Sequence, residues 1–115
     1  MSAATVRDRL LHITRSIGTI EGYWHGKSFQ DFEASEPLRA ATERHLLIIS
    51  EAVRFIPDKD KADHAHIPWR DIAGIGNILR HGYDIIDHRR IWDVIELDLP
   101  ALKNAVSGII TIYQE

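Results

Sequence analysis

The stretch GNILRHGYD at residues 76–84 brings Asn77, Arg80, His81 and Tyr83 together around two glycines. An imidazole titrates near neutral pH and can take or return a proton. A guanidinium forks onto phosphate oxygens, and a phenol offers a hydroxyl. On a helix advancing about 100° per residue, Asn77 and His81 share a face while Arg80 points elsewhere. Glycine suits a helix C-terminus, so Gly82 would end such a helix and free Tyr83 to turn back toward the histidine. The same residues have a plainer use, because cations near a helix C-terminus complement its dipole. The stretch is therefore either a solvated helix end or a site for an anionic ligand.

Two other clusters are weaker. In DHAH, residues 63–66, His64 and His66 supply two of the roughly three or four ligands a stable metal site needs. A solvated loop is the better reading. Asp93, Glu96 and Asp98 sit among Trp92 and Ile95, and acids at such helical spacing usually form a wet face rather than an acid–base pair.

Length and composition bound what these residues can serve. A chain of 115 residues is long enough for one core and too short for two, so residues 1–115 read as a single domain. The absence of cysteine removes disulfides, thiolate nucleophiles and cysteine-bound zinc, and a cytoplasmic location is the simplest expectation. No apolar run approaches the ~18 residues of a membrane span, and the first residues lack a signal peptide's apolar block. The net charge of −3 argues against a basic coat for non-specific nucleic-acid binding, so DNA is not expected as a partner. Within 69–90, however, Arg70, Arg80, Arg89 and Arg90 outnumber Asp71, Asp84 and Asp87, which permits an anionic ligand there.

The elements that must carry these residues follow from apolar spacing. Val6, Leu10, Ile13, Ile17 and Ile20 step by four and three, predicting a helix over about residues 3–24. Ser28 and Asp31 fit a capping box opening a second helix, with Phe29 and Phe32 inward. That helix restarts at Pro37 and runs through Leu38, Ala41, Leu46, Ile49, Ala52 and Val53 to about Phe55. IPDKDKADHAHIP reads as the one true loop. Pro68 opens a third helix through Ile72, Ile75 and Leu79 to near Gly82. Asp87 caps a fourth, with Ile91, Trp92 and Ile95 inward, and Asp98 with Pro100 starts a last one through Leu102, Val106, Ile109 and Ile110. No segment alternates at period two, so the expected fold is all-α, an up-and-down bundle of four or five helices.

At this level of detail the chain resembles a known family. WRDIAGIGNILRHGYDIID followed by IWDVIELDLPALK, together with DRLLHI near the start, SFQDF at 28–32 and LRAATERHLLIISEAV at 38–53, is similar to the HepT-type proteins, the DUF86 branch of the HEPN superfamily. The resemblance covers nearly the whole chain in order. It implies an all-α bundle that forms a homodimer and acts as the toxin of a bacterial type VII toxin–antitoxin pair. The implied activity is a metal-independent ribonuclease without cofactors, with cellular RNA, tRNA among it, as substrate. The implied partner is an MNT-type nucleotidyltransferase antitoxin, which silences the toxin by AMPylation of a tyrosine.

By the resemblance, His81 matches the catalytic histidine, Tyr83 the AMPylated tyrosine, and Asn77 the polar residue that follows the motif arginine. Gly76 stands where that arginine is expected, five residues before His81. Arg80 is the favoured substitute, with Arg70 and Arg89 as further phosphate-binding candidates and Arg90 beside them. The alternative is a catalytically degenerate binding module that keeps only its surface for the nucleotidyltransferase or for nucleotides.

Overall fold

The computed structural model describes residues 2–81 and 87–114, and every regular element among them is helical. In chain order these are α1 (Ala3–Trp24), α2 (Phe29–Ala34), α3 (Glu36–Val53), α4 (Asp58–Ala62), α5 (Trp69–His81) and α6 (His88–Asp93). A π-helical turn (Val94–Asp98), α7 (Leu99–Ile110) and a 3-10 turn (Thr111–Tyr113) complete the fold. The all-α bundle expected from the sequence is the fold observed.

The five stepped residues of α1, from Val6 to Ile20, are all buried, and they face Leu46, Ile49 and Val53 of α3 and Leu102, Val106 and Ile109 of α7. The helix starts at Ser2, whose Oγ accepts from the Thr5 N–H. After α1, Gly26 adopts φ +73°, a left-handed conformation open to glycine, and reverses the chain. The Ser28–Asp31 capping box then forms as expected, each side chain bonding the other's backbone N–H. The Ser28 N–H holds the Asp31 carboxyl below its usual range.

Trp24, Phe32 and Trp92 meet with ring centroids 4.9 to 5.8 Å apart and lock α1, α2 and α6 together. The indole of Trp24 donates to Thr42 Oγ1 at 2.8 Å, so its polar edge is satisfied inside the core. Phe29 is only half-buried, packing over the Phe32 ring.

One expectation needs correction. The stretch 56–68 is not a plain loop but contains α4, which lacks apolar periodicity and is held from outside. Its Asp60 is 4% exposed and accepts a hydrogen bond from the Tyr113 hydroxyl, pushing the phenol up to about 12. Ile56 and Ile67 at its flanks are buried, and Trp69 Nε1 donates to the carbonyls of His64 and Lys61.

The last helix starts where expected, with Asp98 at its N-cap position and Pro100 in its first turn, but Asp98 makes no side-chain cap and the path from α6 to α7 is unbroken. Pro100 has no N–H to give to the carbonyl of Glu96, and the chain accommodates this by widening into the π turn just before it.

Helices α1 and α3 run antiparallel, with Arg9 over the Phe55 ring at one end and Trp24 against Thr42 at the other. Helix α5 runs antiparallel along α3, and its final turn lies at the edge of the bundle. Among the described residues no helix is long and apolar enough to cross a membrane.

Candidate functional site

Helix α5 is built to be held on one side and open on the other. Ile72, Ile75 and Gly76 are buried, Ala73 and Leu79 are half-buried, and Arg70, Asn77, Arg80 and His81 are exposed. The open face thus carries Asn77 and His81 one turn apart, as their spacing predicts.

The buried side explains the glycine. A Cβ on Gly76 would lie 2.2 Å from Ser50 Oγ and 3.2 Å from Leu47 Cδ1, so α3 and α5 approach too closely here for an unadjusted side chain. Ser50 is itself buried, and its hydroxyl donates to the Leu47 carbonyl at 3.3 Å. One turn earlier, Arg54 Nη2 donates to the Ala73 carbonyl at 2.8 Å and fastens the same seam.

One turn later, Arg80 lies on the Gly76 side of the helix and bends back. Its Nη1 sits 3.5 Å from the point a Gly76 Cβ would occupy and 2.6 Å from Glu51 Oε1. Both side chains of this ion pair are nearly half exposed, at 42% and 47%. The guanidinium therefore hangs over the backbone of the residue that, by the resemblance, should have been arginine. Position 76 is bare, and a cation from position 80 covers it.

Along α3, Glu43, Leu47 and Glu51 recur at four-residue steps and so form one stripe. Burial pushes the Glu43 carboxyl up, an effect partly offset by the charges of His88 and Arg39. His88 opens α6 with its ring edge-on to Phe32. Asp87 caps that helix as expected, accepting from the N–H groups of Arg89 and Arg90.

The other arginine candidates lie apart from His81. Arg89 lies 4.8 Å above the Phe29 ring and pairs with Asp93 at 3.5 Å. Arg90 borders a shallow pocket of about 270 Å³ with Asp71, Asp93 and Asp98. Arg70 is exposed on α5 but roughly 16 Å below His81 by helical rise. Gly82 and Tyr83, and with them the proposed AMPylated hydroxyl, lie outside the described residues. Glu51 escaped the sequence reading, since nothing in residues 38–53 marks which acid meets a side chain 29 positions away.

The weaker clusters stay apart from this face. His64 and His66 stand 6.2 Å apart by ring centroid, His64 near Gly108, and among the described residues no three potential ligands gather to hold a metal ion. Asp93 and Glu96 are exposed, a wet face as read. Asp98 is half-buried, and burial together with Asp71 pushes its carboxyl up, Arg90 opposing and Asp93 adding to the shift.

Comparison with known proteins decides the family. The family model described as Ribonuclease HepT-like matches residues 13–109. The chain belongs to the HepT-like ribonuclease family. This HepT-like chain is 36% identical over 97 residues to "Probable ribonuclease HepT" of Thermococcus cleftensis, covering 84% of this chain and 88% of that protein. It is 35% identical over 106 residues to "Putative RNase TTE0752" of Caldanaerobacter subterraneus, covering 92% of this chain and 95% of that protein. A third relative, "Gamma-glutamylcyclotransferase and putative RNase MJ0434" of Methanocaldococcus jannaschii, is 36% identical over 90% of this chain, which spans 47% of that longer protein. No solved structure matches. Asn77 and His81 share the exposed face of α5, and the Arg80 guanidinium lies beside Gly76.

Proposed function

We propose that this HepT-like chain is the ribonuclease toxin of a type VII toxin–antitoxin pair, with His81 as acid–base, Arg80 as the phosphate clamp and Asn77 as a polar neighbour. Cleavage of RNA without a metal uses the 2′-hydroxyl as internal nucleophile. The 2′-oxygen attacks phosphorus, His81 takes its proton, the bond to the 5′-oxygen breaks, and a proton is returned to that leaving oxygen. Negative charge grows on the non-bridging oxygens, where a guanidinium is a fitting counterion. The products are a 2′,3′-cyclic phosphate and a 5′-hydroxyl.

The observation that carries this reading is the Arg80 guanidinium lying over Gly76, one turn from Asn77 and adjacent in sequence to His81. It supplies the charge that a glycine at position 76 withholds. On the same reading the protein acts as a homodimer in the cytoplasm, RNA is its substrate, and an MNT-type nucleotidyltransferase transfers AMP to Tyr83.

A second reading keeps the fold and drops the chemistry. The Glu51 carboxylate neutralises Arg80, an observation in favour of a degenerate module that binds the nucleotidyltransferase without cutting RNA. One experiment separates the two: induce wild type, His81→Ala and Arg80→Ala without a partner, and map new RNA ends, tRNA included. Growth arrest with new ends in wild type alone supports the nuclease. Intact RNA in all three, with the partner still bound by wild type, supports the binding module.

A further inference from the structure

Arg80 is a long side chain on the last turn of a helix, and left alone it would sample many rotamers. Ordering such a chain costs rotamer entropy. It is ordered because Glu51, from the neighbouring helix, accepts from its Nη1 at 2.6 Å. Nη1 rests at ordinary van der Waals distance from where a Gly76 Cβ would stand, so the guanidinium lies close against the helix there.

Among the described residues the contact is one-pronged. Glu51 takes a single N–H of a group that carries five, and the other N–H groups of the fork suit a second anion. Both partners are nearly half exposed, so the pair itself adds little stability in water and its worth lies in orientation.

We propose that Glu51 is the positioning residue of this site: its carboxylate fixes the Arg80 guanidinium over Gly76 so that the remaining N–H groups meet an RNA phosphate beside His81. The inference rests on the reading of Arg80 as the phosphate clamp. Glu51 touches no substrate and acts through the arginine alone.

A double-mutant cycle tests this, read first in binding and then in cleavage. The binding probe is a fluorescent single-stranded RNA with 2′-O-methyl groups, which removes the internal nucleophile and isolates the phosphate contacts. Glu51→Ala is expected to weaken binding by about tenfold in the wild-type background and to have no further effect in Arg80→Ala. Glu51→Gln, which can still accept from Nη1, is expected to recover most of the loss. In cleavage, Glu51→Ala is expected to lower kcat more than it raises KM, because the clamp matters most as charge develops on phosphate.

Unchanged or tighter binding by Glu51→Ala overturns the proposal. So does an equal loss in the Arg80→Ala background, which would mark a structural role, and so does a wild type that binds no oligonucleotide. Failure of the nuclease reading looks different: the binding cycle holds while no cleavage depends on His81.

Discussion

Ser50 Oγ stands 2.2 Å from where a Cβ on Gly76 would be, so the residue at position 76 and the residue at position 50 are fitted to one another. The seam between α3 and α5, rather than the solvent face, therefore governs what position 76 can hold.

Gly76→Ala should gain about 1 kcal/mol of helix propensity and still destabilise the protein. Its methyl forces the buried Ser50 hydroxyl off the Leu47 carbonyl, at a cost of about 1–3 kcal/mol. Urea unfolding should show a net loss of about 1 kcal/mol, and Ser50→Ala in the same chain should relieve it. Gly76→Arg is expected to lose more, because a long side chain must leave through the same crowded seam between Ser50 and Leu47. Additive single and double mutants would sink this account.

Arg80→Lys keeps the charge and loses the fork that serves Glu51 and phosphate at once. Cleavage should fall by about 10- to 100-fold with little change in melting temperature, since the ion pair is half exposed. A lysine variant with full kcat/KM would show that charge alone suffices.

Tyr113 ties the C-terminal turn to α4 through Asp60, and its pKa rises from 10.0 to about 12 because the hydroxyl donates to that carboxylate. A phenol whose pKa is raised by folding stabilises the fold only while it keeps its proton. The contribution is complete below pH 10 and is lost as pH climbs through about 12. Tyr113→Phe should thus cost about 1.5–3 kcal/mol at pH 8, because it leaves the buried Asp60 carboxylate without this donor. Its stability should also decline less steeply than wild type between pH 10 and 12. Parallel alkaline profiles for the two proteins would contradict this.

Burial and Asp71 push the Asp98 carboxyl up, with Arg90 opposing. A carboxyl whose pKa is raised on folding favours the fold when protonated, and that benefit disappears as pH rises through its folded value. Asp98→Asn should accordingly raise the melting temperature at pH 7 and give no gain near pH 3. A gain of equal size at both values would point to packing instead of charge.

What the sequence revealed was mostly local. The stepped face of α1, the Ser28–Asp31 box and the Asp87 cap each depend on residues within a turn of one another, and each formed as read. Asn77 and His81 were found on an open face for the same reason. What stayed hidden was contact across distance. Helix α4 depends on a tyrosine 53 residues away, and the Arg80 pose depends on an acid 29 residues away. The π turn was missed because Asp98 and Pro100 mark the start of α7 without revealing that the residues just before them stay helical.

The Tyr113–Asp60 bond also arranges the molecule from end to end. Residues Ala3, Ala4 and Arg7 share a concavity with Ile112, Tyr113 and Gln114, so both ends of the described chain meet on the side where Trp69 is clamped. From there α5 climbs roughly 18 Å to His81. A tag on either terminus would hang well away from the exposed histidine, and a short glycine linker from residue 114 to residue 2 would close the chain into a ring without touching that face.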